Sequence, residues 1–161
     1  MHLLRVRRQL LSINLPDGYR LRVLDEVDST NAEAARIVAQ LAGPEWVLAR
    51  RQTNGRGRRG RAWSDPAGNF AASLVLFPQH PPDQIALRSF VAALALFDAL
   101  VATTGRSDTL ALKWPNDVLL NGGKVAGILL ETTALSGGGF ALTIGFGVNL
   151  VHTPQSSGFE A

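Results

Sequence analysis

Two turn signals near the C-terminus constrain the fold more than any other feature of this sequence. Asn121-Gly122-Gly123-Lys124 separates "DVLL" from "VAGILLE", and Gly137-Gly138-Gly139 separates that run from "FALTIGFGVNL". Asn-Gly and Gly-Gly pairs supply the positive φ angles of tight hairpins, so each is expected to join antiparallel neighbours. On strand parity Phe140, Leu142, Ile144, Phe146 and Val148 share one face, which reads as core. Ala141, Thr143, Gly145, Gly147 and Asn149 share the other. That face is small throughout, as it would be under a ligand or under a closely packed helix.

Upstream, "YRLRVLDEV" (19–27) alternates like a half-exposed strand, while "WVLAR" (46–50) and "NFAASLVLF" (69–77) read as buried ones. Ala34, Ile37, Val38 and Leu41 recur at helical spacing, and Gly43-Pro44 ends that helix. A second helix is expected from Asp83 to about Thr104. It is apolar nearly all round, hence central, and stops at Gly105. Strands outnumber helices and are joined mostly by hairpins. The expected class is α+β, a mixed and mostly antiparallel sheet with helices on one side.

Composition matters mainly for what it excludes. The chain of 161 residues is one domain's worth, 46% apolar and 18% charged, and so able to bury a core. It has no cysteine, and His2, His80 and His152 lie far apart, which argues against disulfides, thiolate chemistry and a zinc enzyme. No run approaches the roughly 18 apolar residues of a membrane span. Basic residues interrupt the apolar ones in "MHLLRVRRQLLSINL", leaving no signal-peptide core. The expected compartment is the cytoplasm. Residues 1–61 hold 12 Lys+Arg against 6 Asp+Glu, and residues 62–161 hold 4 against 7. Most of the asymmetry comes from Arg56, Arg58, Arg59 and Arg61, so the charge belongs to one loop. A nucleic-acid module using that loop is the reading from another class, and it would want charge spread over a surface.

Four stretches have side chains suited to chemistry. In "DSTN" (28–31), Thr30-x-x-Glu33 forms a capping box, but one cap uses one side chain and leaves the others free for a ligand. "GRGRRGRAW" (55–63) is either a solvated tip or a loop whose N–H groups and guanidinium forks surround an anion. Gln52, just before it, offers both a donor and an acceptor. Both lysines of the chain, Lys113 and Lys124, fall within "LKWPNDVLLNGGKVAGILLE". Pro115 holds Asn116 and Asp117 at a bend, where Asp117 suits magnesium or ordinary turn chemistry. Lys124 opens a strand, and Gly127 beyond it allows close backbone approach. The fourth stretch is the small-faced strand, ending at Asn149.

Together, "STN", "GRGRRGRAWSDPAGN", "KWPNDVLLNGGKVAGILLE" and "GFGVN" resemble the catalytic domain of biotin protein ligases, over roughly Leu24 to Leu150. The resemblance implies a fold related to class II aminoacyl-tRNA synthetases and lipoate ligases, with residues 1–161 a partial catalytic domain short of its C-terminal portion. It implies ATP-dependent ligation of biotin to a lysine of a biotin carboxyl carrier protein through biotinyl-5′-AMP. Ser29, Thr30 and Gln52 would hold the ureido ring with Asn31 beside them, and the backbone of Gly55, Arg56 and Gly57 would close over the biotin. Arg56 and Arg58 would face the carboxylate and phosphate. Lys124, catalytic with Arg58, would bridge the two, and Gly127 would line the biotin side. Trp63, Asn116 and Asn149 would lie on the adenylate side, and Asp117 would support Mg2+. No DNA or membrane partner is expected, and a homodimer is left open. The rivals are a lipoate or octanoate ligase of the same fold and an inactive biotin-binding remnant.

Overall fold

The computed structural model describes residues 14–79, 84, 85 and 87–152. Seven strands form one sheet: β1 Arg20–Leu24, β2 Glu45–Ala49, β3 Phe70–Leu76, β4 Leu110–Lys113, β5 Asp117–Leu120, β6 Gly123–Ala134 and β7 Phe140–Val148. Their order is β1-β2-β3-β7-β6-β5-β4. Among the described strands only β1 and β2 pair in parallel. A parallel pair needs a crossover, and helix α1 (Thr30–Ile37) with its short 3-10 extension supplies it.

The two turn signals behave as expected. Asn121 and Gly122 take φ of 50° and 81° between β5 and β6, and Gly138 and Gly139 take 91° and 77° between β6 and β7. The mixed, mostly antiparallel sheet is therefore the expected one, but the helices depart from expectation. They lie on opposite faces. Ala34, Ile37 and Val38 of α1 pack with Val47, Val75 and Ala141. Ala92 and Ala93 of α2 (Arg88–Thr104) pack with Ile128, Leu142 and Ile144. Ala141 and Leu142 are adjacent on β7 and both fully buried, so each face needs its own cover.

Helix α2 differs in a second way. It is not central, because among the described residues it has the sheet on one side only. Phe90, Val91 and Leu94 on its outer side are 44%, 66% and 52% exposed. Its expected start at Asp83 falls outside the described residues, as do His2, His80 and the N-terminal segment. Its stop is as expected, with Gly105 in the left-handed region at φ 69°. Among the described residues no helix is long and apolar enough to cross a membrane.

Candidate active site

On the α1 face of the sheet lies an open cleft of about 970 Å³. One end is built by the N-terminus of α1. Ser29 is the cap, its Oγ accepting from Ala32 N at 3.5 Å. The capping box expected from Thr30 and Glu33 does not form, because the Glu33 carboxylate turns to Arg36 at 2.7 Å. Asp28 is taken up as well, by Arg36 at 2.6 and 3.0 Å. Hydrogen bonds from Arg36, supported by the Ser29 amide, hold the Asp28 carboxyl at about 2, and partial burial opposes them. Thr30 is thereby left for the cleft. Its amide donates to Gln52 Oε1 at 2.8 Å.

The Arg/Gly loop folds back as a small hairpin. Trp63 N donates to Gly55 O at 2.9 Å, and Gly57 N to Arg61 O at 2.7 Å. Arg59 and Gly60 take left-handed φ of 57° and 72° at its tip. A side chain at Gly55 would bring its Cβ within 2.6 Å of the Trp63 carbonyl, so only glycine lets this hairpin close. Two of the arginines reach across the cleft. Arg58 donates to Asn116 Oδ1 at 3.0 Å, and Arg56 lies 3.3 Å from Glu131 Oε2.

The cleft floor is the small face of β7 and the matching positions of β6. Ala141 lies under α1, Gly145 under the Asn31 side chain and Gly147 under Trp63, where a Cβ would meet the indole at 2.5 Å. The reading as a surface under a closely packed helix therefore holds over one half, and over the other half the Asn31 and Trp63 side chains lie against the glycines.

The position of Lys124 depends on a bulge. Asp117 pairs with Gly127 and Val118 with Ala126, but Leu119 pairs with Lys124, leaving Val125 as the extra residue. Strict alternation from Gly127 would turn Lys124 to the α2 face. The bulge sends Val125 into the α2-side cluster instead and aims Lys124 into the cleft. Its Nζ meets Asp117 Oδ1 at 2.8 Å and lies 5.5 Å from the centre of the Trp63 ring.

Of the residues expected at the site, Ser29, Thr30, Asn31, Gln52, Arg56, Gly57, Arg58, Trp63, Asn116, Asp117, Lys124, Gly127 and Asn149 all line this cleft. Gly55 is the exception, buried at the base of the hairpin. Among the described residues no three His, Cys, Asp or Glu side chains converge. A resident metal cage is thus absent there. A single carboxylate such as Asp117 fits magnesium only when most of the ion's ligands are water and substrate phosphates.

Four side chains went unassigned in the sequence. Fully buried Ser73 touches both Thr30 and Asn31. Glu131 holds Asn31 and Arg56. Asp65 accepts the Gln52 backbone N–H at 3.1 Å and is hydrogen-bonded by the Gln52 side chain as well, while burial pushes its carboxyl upward. Asn69 accepts the amides of Leu150, Val151 and His152 at 3.0–3.1 Å and donates to Asn149 Oδ1 at 3.2 Å. Ser73 did leave a visible signal, as a lone hydroxyl in the apolar run "FAASLVL".

The biotin/lipoate A/B protein ligase family matches residues 23–149. A biotin--[acetyl-CoA-carboxylase] ligase of Paracoccus denitrificans is 56% identical over 138 residues, 86% of this chain and 58% of that protein. The biotin protein ligase of Leishmania major in complex with biotinyl-5-AMP superimposes with a TM-score of 0.77 at 29% identity, over 91% of this chain and 63% of the other. The Aquifex aeolicus enzyme in complex with biotin and ATP gives 0.71 at 33%, over 84% and 55%. This chain thus spans less than two thirds of each.

Proposed function

The chain belongs to the biotin/lipoate A/B protein ligase family, and from that premise we propose that it joins biotin to a carrier-protein lysine through biotinyl-5′-AMP. The observation that carries this reading is the polarity of the cleft. Ser29, Thr30 and Gln52 by the N-terminus of α1 are neutral and directional, while Arg56, Arg58 and Lys124, lining the same cleft, are cationic. A ring urea needs partners of the first kind. A carboxylate meeting a polyphosphate needs the second.

In the proposed reaction a biotin carboxylate oxygen attacks the α-phosphorus of ATP and the bond to pyrophosphate breaks. Two like-charged groups must meet, so fixed cations matter more than a general base. One aimed donor is typically worth about a hundred- to a thousand-fold in rate, and holding the reactants in line adds to it. Arg56 and Arg58 would exchange Glu131 and Asn116 for substrate oxygens. Lys124 would sit between carboxylate and phosphate, with Trp63, Asn116 and Asn149 on the nucleotide side. Magnesium, arriving on the phosphates, would take Asp117 as its protein ligand and neutralise charge there. The ε-amine of a carrier lysine then attacks the mixed anhydride at the acyl carbon and AMP leaves. With ATP and biotin as co-substrates, the proposed compartment is the cytoplasm.

The test is calorimetry with biotin, lipoate and octanoate, followed by pyrophosphate release from biotin and ATP. Biotin is expected to bind far more tightly than the other two, because ligands without a ureido group cannot hydrogen-bond the polar atoms that Ser29, Thr30 and Gln52 turn to the cleft. Equal affinity for lipoate would overturn the substrate. Biotin binding without pyrophosphate release would replace ligation by ligand binding alone. The Arg/Gly loop as a nucleic-acid clamp loses support from Arg56 and Arg58, which turn inward to Glu131 and Asn116.

A further inference from the structure

We propose that Asn69 is a positioning residue: it sets which way round the Asn149 amide meets the nucleotide, and so which base the cleft prefers. The inference rests on the reading above that Asn149 lies on the nucleotide side.

Asn69 stands just before β3 and Asn149 just after β7, and the pairing of Phe70 with Val148 brings the two side by side. Asn69 is only 9% exposed, and both of its amide atoms are taken. Its Oδ1 accepts the backbone N–H groups of Leu150, Val151 and His152 at 3.0, 3.1 and 3.1 Å. Three donors converging on one point fix which amide atom lies there. Turned over, the side chain would set its own NH2 group against three N–H groups. Its Nδ2 therefore faces the other way, donating to His152 O at 2.8 Å and to Asn149 Oδ1 at 3.2 Å.

Asn149 is half-buried and lines the cleft. By shape alone its amide fits either way round, because the oxygen and the NH2 group are nearly the same size. The fixed donor of Asn69 makes the choice, since only Oδ1 can face it. The carbonyl of Lys124, 3.4 Å from Asn149 Nδ2, pulls the same way at the limit of a hydrogen bond. An amide oxygen has two lone pairs and its NH2 group two protons, so one of each is left for a ligand. Such a pair complements adenine, whose amino group donates beside a ring nitrogen that accepts. A 6-oxo purine places an acceptor where that amino group was. It would suit the Asn149 amide only in the reversed orientation, which Asn69 forbids.

The probes are ATP and inosine triphosphate (ITP). Pyrophosphate release at saturating biotin gives kcat/KM for each, and calorimetry gives the affinity for each nucleotide and for biotin. The wild type is expected to favour ATP by about ten- to a hundred-fold, carried in KM. Asn69→Asp keeps the oxygen that the three backbone N–H groups need and replaces the donor facing Asn149 by a carboxylate oxygen. The Asn149 amide should then turn over to donate to it, a charge-assisted bond that outweighs the long contact to Lys124 O. The ATP-to-ITP ratio should fall by about tenfold or more, while biotin affinity stays as in the wild type. The added charge repels both triphosphates alike and cancels in the ratio. Asn149→Ala should abolish the preference, and adding Asn69→Asp to it should move the ratio no further, the signature of two residues acting through one bond.

A clamp that serves only the fold would lower the melting temperature of Asn69→Asp and weaken both nucleotides equally. An unmoved ratio therefore overturns this inference alone, as does a wild type that takes ATP and ITP equally. If Asn69→Asp fails to fold, Asn149→Ala takes its place, because it leaves the bonds from Asn69 to residues 150–152 intact; an ATP preference that survives it overturns the inference too. If both substrates bind without pyrophosphate release, the ratio of the two nucleotide affinities is read instead. A wild type that binds neither biotin nor ATP overturns the proposed function and this inference together.

Discussion

Lys124 and Asp117 meet at 2.8 Å before any substrate arrives, and the two side chains are 27% and 16% exposed. The pair aims the lysine along the cleft wall. Lys124→Ala should therefore leave the fold in place with a small drop in melting temperature, because the side chain fills no core. It should raise the barrier to adenylate formation by about 3–4 kcal/mol. Pyrophosphate release checks this, with exposed Arg106→Ala as the charge-matched control; equal rates for wild type and Lys124→Ala would remove the lysine from the reaction. Asp28 carries the clearest pH signature. Arg36 lowers its carboxyl from 3.8 to about 2. A depressed carboxyl stabilises the fold above its unfolded value, and that contribution fades as pH falls from about 4 toward 2. Carboxyl NMR should show Asp28 titrating near pH 2, and Arg36→Ala should return it toward the ordinary value. A wild-type midpoint near 4 would mean that the Arg36 contact does not persist in solution.

The elements were legible in the sequence to different degrees, for physical reasons. Turns were read well because Asn121-Gly122 and Gly138-Gly139 leave the backbone little choice of conformation. The residues of the cleft were legible as motifs, yet how Lys124 enters it was not. A bulge is a property of two paired strands, and the β6 sequence alone gives no sign that Val125 is the extra residue. The sides of the helices were equally hidden. Apolar periodicity says that a helix packs, not on which face of a sheet. The completeness of α2's apolar surface also misled, since Phe90, Val91 and Leu94 are exposed among the described residues. The Arg/Gly hairpin yields a prediction at this scale. Its tip exposes Arg58, Arg59 and Arg61 to trypsin, while cross-strand bonds hold only its base. Biotin with ATP should slow cleavage there by drawing Arg56 and Arg58 onto the ligand. Identical digestion with and without ligand would argue against a loop that covers the site.

At the scale of the whole molecule, strand order differs from chain order in one consequential place. β7, the last strand along the described chain, lies in the middle of the sheet, between β3 and β6. The described strands before it form two separate three-stranded ribbons, β1-β2-β3 and β6-β5-β4, that share no strand. During synthesis the first 139 residues would leave the ribosome with two unpaired, largely apolar edges, and such edges invite pairing with other chains. A version ending at Gly139 should sediment as aggregates, whereas one extending through His152 should not. A monodisperse truncated chain would show that the ribbons protect themselves. If the prediction holds, nascent protein has a vulnerable interval that ends when its ninth-from-last to last residues of the central strand emerge. A ribosome stalled just before that point would hold a sticky half-product, and codons that slow translation there would cost soluble yield out of proportion to the few residues they encode.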